Sequence, residues 1–422
     1  MRRIFHRALR LLVLVLSVAP LPGCSYLFWD KRTSYTYKPD YGVDSAEFRR
    51  SLDVLGAEMV PHNDAVLLQN GDEFFPAMLD SIRGARESVN MEMFIFNEGD
   101  VAAQFARAMA DKAREGVDVR VLLDDWGSHP GPLEDLMKNA GVKLRWYKPL
   151  RIYSIYKVGN RTHRKILTVD GRIGFTGGLG VDDRWKGDAR NPREWRDTVV
   201  KVAGPVVAQL QAIFMEDWVN TTGEVLHGQE QFPPIPAAGA LLAQAIASSR
   251  GDSSSKAKLL HFMAIQAARK SIWIENAYFV PDGQIRRGLV EAAKRGVDVR
   301  VLVPGPQIDI PIVRMASRFH YGELLDGGVK MFEYQTTMMH NKVMVVDGIW
   351  TTIGSMNFVN RSMKKNAEAN VVIYDRGFAG IVEQMILADL EKSQVFTRAR
   401  WKKRGLVARL GELVFWLFSE NY

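Results

Sequence analysis

Two short segments of the 422-residue chain share the pattern His-x-Lys-x4-Asp, followed after six intervening residues by Gly-Gly or Gly-Ser. The residues that match it are His163, Lys165, Asp170, Gly177 and Gly178 in the first segment, and His340, Lys342, Asp347, Gly354 and Ser355 in the second. Residues two apart in a strand share a face, so each histidine points the same way as its lysine. An imidazole beside an ammonium suits a bound phosphate, because the lysine neutralises phosphate oxygens while the histidine attacks phosphorus or transfers a proton.

The aspartate of each segment has a different expected role. Seven residues of straight strand span roughly 23 Å at about 3.3 Å each, so Asp170 should not reach His163. The dipeptides Asp170-Gly171 and Asp347-Gly348 are typical of hairpin turns. We therefore expect both aspartates to shape their segments rather than contact a substrate.

A metal site and a charged strand edge are the alternative interpretations of the pattern. Lysine is not a usual metal ligand, and no further histidine, cysteine or carboxylate spacing completes a zinc site. A charged edge is a poor explanation for a pattern that recurs at matched places. The sequence thus favours a phosphate-directed site that uses neither a metal nor another cofactor.

The two segments lie within an internal repeat of domain size. The heptapeptide GVDVRVL occurs at 116–122 and again at 296–302, and HRKILTVDG at 163–171 resembles HNKVMVVDG at 340–348. ARESVNMEMFIF at 85–96 resembles ARKSIWIENAYF at 268–279, which aligns Glu92 with Glu275. These glutamates could line a pocket or simply end a strand in solvent. The preserved order indicates a duplicated domain rather than a solenoid.

Each copy alternates apolar strands with helices. We predict strands at 89–96, 119–123, 272–274 and 299–303 and helices at 101–114, 205–218 and 283–295. This order favours an α/β fold with a mixed, largely parallel sheet flanked by helices in each half. The predicted organisation is a targeting segment at 1–24, a first domain at 45–222, a linker at 223–256, a second domain at 257–395 and a basic tail at 396–422.

Charge is placed unevenly along the chain. The net charge is +8, of which residues 1–10 contribute four arginines without an acid, and residues 396–422 contribute six basic against two acidic residues. The body between these ends is therefore neutral overall. A protein that follows a nucleic-acid backbone should carry its basic excess on the folded body, so we expect no nucleic-acid partner.

The two ends look membrane-seeking. Arginines precede the apolar run Leu11–Ala19, and the following LPGC ends in Cys24, the only cysteine of the chain. This arrangement resembles a lipoprotein signal in which Cys24 becomes the lipidated N-terminus; an uncleaved anchor or ordinary signal cleavage are the alternatives. All three predict a body outside the cytoplasm, at the bacterial cell envelope.

The C-terminal tail carries leucines at helical spacing behind a basic block. They are Leu406, Leu410, Leu413 and Leu417, and Trp401, Trp416 and Phe418 flank them. Such a stripe is typical of a helix that lies on an anionic membrane. A terminal helix packed on the core would show the same spacing.

The paired segments resemble the signature of the phospholipase D superfamily, and their surroundings resemble bacterial cardiolipin synthases. The resemblance covers most of residues 60–392 and includes YFVPD at 278–282, WRD at 195–197 and GSMNF at 354–358. It implies that two halves form one active site, in which one histidine becomes a covalent phosphohistidine and the other protonates the leaving alcohol. By family habit His163 is the nucleophile and His340 the acid and base, although either histidine could play either role.

The resemblance also implies supporting residues. Glu368 is expected to orient His340, and Asp197 to orient His163. Ser355 and Asn357 resemble the family's phosphate-oxygen contacts. Gly178 and Gly180 stand at the matching positions of the first copy, so we expect the two halves to hold phosphate unequally.

The implied reaction is transfer of a phosphatidyl group onto the hydroxyl of phosphatidylglycerol. Phosphatidylglycerol, or else phosphatidylethanolamine, would be the donor, the membrane would be the setting, and an assisting protein partner is not visible in the sequence. The alternatives are a phospholipase D that transfers the group to water, a metal-independent phosphodiesterase or nuclease, and a lipid-binding protein with an inactive site.

Overall fold

The computed structural model of the chain describes residues 34–53, 55, 58–148, 161–248, 256–364 and 366–417. The predicted targeting segment, with Cys24, lies outside the described residues. The helices are α1 (Ala46–Asp53), α2 (Asn70–Arg83), α3 (Asp100–Arg114), α4 (Leu133–Asn139), α5 (Val206–Thr222), α6 (Lys256–Ala267), α7 (Gly283–Lys294), α8 (Pro311–Asp326), α9 (Asn360–Lys364), α10 (Arg376–Glu391), α11 (Arg398–Lys402) and α12 (Leu406–Leu417). The strands are β1 (Val60–Gln69), β2 (Ser88–Met93), β3 (Asp118–Asp124), β4 (Lys143–Tyr147), β5 (Ile166–Val169), β6 (Ile173–Gly177), β7 (Thr198–Ala203), β8 (Leu241–Ser248), β9 (Ser271–Asn276), β10 (Asp298–Pro304), β11 (Lys330–Tyr334), β12 (Lys342–Val346), β13 (Trp350–Gly354), β14 (Glu368–Tyr374) and β15 (Ser393–Phe396).

The strands of the described residues form one continuous sheet with an internal symmetry. Its order is β15-β11-β10-β9-β12-β13-β14-β8-β1-β7-β6-β5-β2-β3-β4. The repeat is visible in this order, since β2-β3-β4 and β9-β10-β11 occupy matching places near the two ends. The halves meet where β1 pairs antiparallel with β8. The duplication predicted from the sequence is therefore a duplication of half-sheets.

The sheet is mixed, but the expectation that it is largely parallel is wrong. In each half only three strands run parallel, β2-β3-β4 and β9-β10-β11. Helices cross over between these strands, whereas tight turns connect β5 to β6 and β12 to β13, and such turns force antiparallel pairing. The histidine segments lie directly before these antiparallel hairpins.

Helices cover the sheet, and one of its cores extends through both halves. Side chains of α5 and α10 pack with strands of the first and second half in a single buried cluster, which includes Leu210, Phe214, Val343, Val371 and Val382. Burying such aliphatic and aromatic side chains stabilises each by about 1.5–3 kcal/mol. The shared core fixes the two histidine segments relative to each other.

The predicted linker at 223–256 contributes a strand to the sheet. It contains β8, which pairs with β14 over seven residues and with β1 at the centre of the sheet. Breaker-rich sequence on both sides of this strand accounts for the sequence-based expectation. Among the described residues, no helix combines the length and apolar character that crossing a bilayer requires.

Candidate active site

The backbone of each histidine segment forms a hydrogen bond with the opposite half of the protein. The His163 N–H donates to the Ala367 carbonyl at 2.8 Å, and the His340 N–H donates to the Arg196 carbonyl at 2.7 Å. Ala367 directly precedes Glu368, and Arg196 directly precedes Asp197. Each histidine is thereby placed beside an acid that follows the hairpin of the other copy.

The side chains repeat this crossed arrangement. His163 Nδ1 lies 2.9 Å from Glu368 Oε2, and His340 Nδ1 lies 3.0 Å from Asp197 Oδ2. The sequence-based pairing of Glu368 with His340 and of Asp197 with His163 is therefore wrong. Proximity within one copy suggested it, whereas the true partners are 205 and 143 residues apart. In each pair the acid accepts the Nδ1 proton, which leaves a lone pair on Nε2 for attack or proton transfer.

The lysines lie with their histidines, as expected from their spacing. Lys165 donates its ammonium to the His163 carbonyl at 2.6 Å, and Lys342 donates to the His340 carbonyl. Lys342 Nζ also lies 2.9 Å from His340 Nδ1. An Nδ1–H that is donated to Asp197 cannot accept from the ammonium, so the carbonyl is the acceptor for Lys342.

Burial sets the protonation of the four basic groups. Burial, together with the charges of the adjacent lysines and against the opposing effect of Glu368 and Asp197, lowers the pKa of His163 to about 4 and that of His340 to about 3. Burial likewise lowers the pKa of Lys165 to about 7 and that of Lys342 to about 8. Lys342 acts on His163 and Lys165 acts on His340 through their charges, so the two motifs form one electrostatic site. A bound phosphate would relieve this crowding of cations.

The two motif aspartates stay away from the histidines, as we expected. The Asp170 carboxylate accepts from the backbone N–H groups of Arg86, Glu87 and Ser88, at the start of β2. Asp347 accepts from the equivalent groups of 269–271 at the start of β9. Both aspartates and the glycines after them have positive φ, which a type I′ turn requires at its two central positions. They fasten the hairpin to the neighbouring strand.

Ser355 and Asn357 occupy different surroundings. The Ser355 hydroxyl lies 2.5 Å from Glu368 Oε2 and accepts from the Ala369 N–H at 3.0 Å, so in this structure it supports the acid of the His163 pair. Asn357 is buried, and its carboxamide oxygen has no hydrogen-bond partner among the described residues. That oxygen is a place where a substrate hydroxyl could donate a hydrogen bond.

The glycines at the matching positions of the first copy leave space for a different hydrogen-bond donor. A Cβ at Gly178 would lie 2.3 Å from Asp197 Oδ1 and 2.7 Å from the His340 carbonyl oxygen. A Cβ at Gly180 would meet the Trp185 ring at 2.9 Å. Trp185 donates its indole N–H to Asp197 Oδ2 at 2.8 Å. The acid of the His340 pair is therefore held by an indole instead of a hydroxyl.

The aromatic environment also differs between the two histidines. The rings of Trp185 and Trp195 have centroids 5.4 Å from the His340 imidazole, and the Tyr278 ring lies 5.9 Å away. Among the described residues, the Phe94 ring lies beside His163, with centroids 5.1 Å apart. Trp185 was not predicted from the sequence, because a single aromatic residue does not form a recognisable motif. Its position between Gly180 and Trp195 is an indication of its role.

Glu92 and Glu275 neither end strands in solvent nor contact the histidines. Both are fully buried, and each bonds a residue next to a catalytic histidine: Thr162 donates to Glu92, and Asn341 donates to Glu275. Burial and a second acid, Asp217 for Glu92 and Asp389 for Glu275, raise the pKa of each glutamate, that of Glu275 to about 8. In both copies the buried glutamate thus holds the residue next to the histidine in place through a hydrogen bond.

No group of three or more histidine, cysteine, aspartate or glutamate side chains in the described part of the chain is arranged to hold a metal ion. The crossed pairs, with two Nε2 lone pairs and two ammonium groups, suit transfer of a phosphoryl-linked group through a covalent histidine intermediate.

Comparisons with known proteins agree with this geometry. The family model described as the phospholipase D-like domain of cardiolipin synthase matches residues 78–218 and 262–390. Cardiolipin synthase A of Pseudomonas entomophila (strain L48) is 37% identical over 386 residues, which cover 89% of this chain and 79% of that protein. A probable cardiolipin synthase of Bacillus subtilis (strain 168) is 37% identical over 84% of this chain and 71% of its own length.

Solved structures share the fold at low identity. The phosphatidylserine synthase of Haemophilus influenzae Rd KW20 aligns with a TM-score of 0.66 at 12% identity, covering 88% of this chain and 96% of that one. The polyphosphate kinase of Porphyromonas gingivalis aligns with a TM-score of 0.55 at 12% identity, covering 96% of this chain and 59% of that one. With the duplicated half-sheet, the paired motifs and the family match over both copies, the chain belongs to the family of cardiolipin synthases with phospholipase D-like domains.

Proposed function

We propose that this protein is a cardiolipin synthase that joins a phosphatidyl group to phosphatidylglycerol. The observation that carries the proposal is the pair of crossed histidine–acid contacts, His163 with Glu368 and His340 with Asp197. The relatives named cardiolipin synthase, at 37% identity over most of the chain, support the choice of lipid substrates. The neutral charge of the body between the two basic ends fits a substrate other than nucleic acid.

The first step forms the covalent intermediate. His163 Nε2 attacks the phosphorus of the donor phospholipid, and the bond between phosphorus and the headgroup oxygen breaks. His340 gives its Nε2 proton to that oxygen, so that a small alcohol leaves. The negative charge of a bound phosphate raises the pKa of His340 from about 3, which favours the protonated imidazole that donates this proton.

The second step reverses the roles of the groups. The hydroxyl of phosphatidylglycerol attacks phosphorus and gives its proton to His340, and the bond to His163 Nε2 breaks. Lys165 and Lys342 neutralise the phosphate oxygens in both steps. One phosphodiester bond is broken and one is made, so the exchange needs no energy source. The choice of His163 as nucleophile follows the family habit, since both imidazoles are held in the same way.

The decisive experiment is lipid mass spectrometry after expression in a cardiolipin-free bacterial host. Wild-type protein should restore cardiolipin, and His163→Ala and His340→Ala should not. Headgroup-labelled phosphatidylglycerol and phosphatidylethanolamine identify the donor by the alcohol released. If phosphatidic acid accumulates without cardiolipin, the protein is a phospholipase D and the proposal is wrong.

We further propose that the protein acts at the cell envelope, outside the cytoplasm, with Cys24 as a lipid attachment site. The support is the sequence of residues 1–24, in which arginines, an apolar run and a single cysteine follow in order. Labelled palmitate should be incorporated into the wild type and not into Cys24→Ala. Equal labelling of both proteins would contradict the assignment.

A further inference from the structure

The C-terminal helix α12 exposes an apolar face of the body. Of twelve large apolar side chains that are exposed among the described residues, seven lie on α12 or at the start of α8. They are Leu406, Val407, Leu410, Leu413 and Val414 on α12, with Ile310 and Met315 at α8. The exposed fractions on α12 range from 40% at Leu413 to 86% at Val407. The other five are scattered singly, which is ordinary for a protein surface.

The opposite face of α12 is packed against the body. Trp416 stacks on Phe319 of α8 with centroids 4.6 Å apart, and the buried Glu412 carboxylate pairs with Arg404. Leu410 and Glu412 are two residues apart, which places them about 200° apart around a helix. The packed and the exposed faces are thus distinct, and the helix is held in place while its leucine stripe faces outwards. The two interpretations of the tail that the sequence allows therefore apply to different sides of the same helix. One side packs on the core, and the other side is available to a membrane.

Basic residues border this face. Lys402 and Lys403 lie a few residues before α12 and Arg409 lies within it, and all three are exposed. Arg404 and Arg398, by contrast, are paired with Glu412 and Asp326. Apolar side chains flanked by exposed cations match the surface of an anionic phospholipid layer, where each cation contributes about 1 kcal/mol of attraction.

The face also continues towards the active site. A Cβ at Gly411 would lie 3.9 Å from Met315 Sδ, so α12 and the start of α8 adjoin. Ile310 follows Asp309, whose carboxylate accepts from the Tyr278 hydroxyl at 2.8 Å. The Tyr278 ring in turn lies beside His340. The exposed face of α12 is thus connected to His340 through the start of α8, Asp309 and Tyr278.

We propose that the exposed face of α12, with Ile310 and Met315, is the surface by which the protein binds an anionic phospholipid bilayer and presents its active site to lipid. This proposal rests on the proposed lipid-transfer function and adds the place of contact. The membrane anchor expected at residues 1–24 would tether the chain, whereas this face would orient the body.

A fluorescence experiment tests the contact independently of catalysis. In the full chain with Cys24→Ser, Leu410→Cys provides a single thiol for an environment-sensitive fluorophore, and Ile381→Cys on α10, where the side chain is 57% exposed, provides the matched control. With vesicles of phosphatidylglycerol, the probe at 410 should shift to the blue and be quenched by spin-labelled lipid, and the probe at 381 should not. An unquenched probe at 410 on vesicles that the enzyme converts, or equal quenching at both positions, overturns the proposal. A blue shift at 410 that depends on protein concentration without lipid identifies a second copy as the partner and also overturns it.

An activity experiment separates docking from the site. The double variant Val407→Asp/Leu410→Asp should lose about tenfold or more of its turnover on phosphatidylglycerol vesicles and keep its turnover on short-chain phosphatidylglycerol dispersed as monomers. Ile381→Asp should behave as wild type on both, and Lys402→Gln/Lys403→Gln should weaken vesicle binding by about fivefold per lysine. Unchanged turnover of the double variant on vesicles overturns the docking surface and leaves the proposed function intact. If the wild-type protein transfers no phosphatidyl group on either monomers or vesicles, the proposed function is wrong. The fluorescence experiment would still test the membrane contact in that case.

Discussion

The two halves of the active site hold their histidines with the same kind of bond and support the acids with different chemistry. Beside His163, the Ser355 hydroxyl bonds the Glu368 carboxylate. Beside His340, the Trp185 indole donates to the Asp197 carboxylate. Glycine at 178 leaves space for that carboxylate, and glycine at 180 leaves space for the indole ring. The duplication thus preserved the histidine–acid pair itself, while the groups that donate hydrogen bonds to each acid diverged.

Removing either histidine should have the largest effect, and the two should differ in which step is lost. We expect His163→Ala and His340→Ala each to lower turnover by about 10⁴-fold or more, because members of a catalytic unit act together. With a p-nitrophenyl ester as donor, the leaving group needs no acid, so His340→Ala should still form phosphohistidine and His163→Ala should not. Rapid quench followed by phosphoenzyme analysis measures this. Phosphoenzyme in His163→Ala would assign the nucleophile to the other half.

Neutralising the acids should have the next largest effect. Glu368→Gln and Asp197→Asn keep the shape of each side chain and remove its charge, so each should lower kcat by about 10²–10⁴-fold. Glu368→Gln should slow formation of the phosphoenzyme on His163, whereas Asp197→Asn should slow proton transfer by His340 and spare the p-nitrophenyl donor. Single-turnover kinetics with the two donors separate these effects. The opposite assignment would contradict the crossed pairing.

Removing the side chains that donate hydrogen bonds to the two acids should lower kcat by a smaller factor. A hydrogen bond to a charged group contributes about 1.5–3 kcal/mol, so Ser355→Ala and Trp185→Phe should each lower kcat by roughly tenfold or more. Trp195→Phe is the matched control, because its ring packs on the same imidazole and donates no hydrogen bond to Asp197. Equal losses in Trp185→Phe and Trp195→Phe would show that the rings matter and the indole donor does not.

The smallest effect should appear in the pH dependence. The pKa of Lys165 is lowered to about 7 and that of Lys342 to about 8, so raising the pH through this range removes cations that bind phosphate. For each lysine that must be charged, we expect kcat/KM to fall about two- to fivefold between pH 7 and pH 8. A bound phosphate raises the pKa of both lysines, so kcat should stay level over this range. Lys165→Arg should move the alkaline fall upwards, and an unchanged profile would remove Lys165 from this role.

Much of the fold and part of the site could be predicted from the sequence, for identifiable physical reasons. The repeated motifs, the strands and the Asp-Gly turns depend on local spacing, and Asp170 and Asp347 lie in the hairpins that this spacing predicts. The partner of each histidine depends on how two half-sheets meet at β1 and β8, a contact that no local pattern records. The raised pKa of Glu92 and of Glu275 likewise depends on acids that lie on helices distant in the sequence.

NMR of the imidazole protons can show whether each histidine is held by the acid of the other half. In protein labelled with ¹⁵N-histidine, the two Nδ1 protons should give separate downfield signals, assigned by their absence in His163→Ala and His340→Ala. Glu368→Gln should shift the His163 signal and leave the His340 signal in place, and Asp197→Asn should do the reverse. A shift of the His340 signal in Glu368→Gln, with the His163 signal unmoved, would contradict the account.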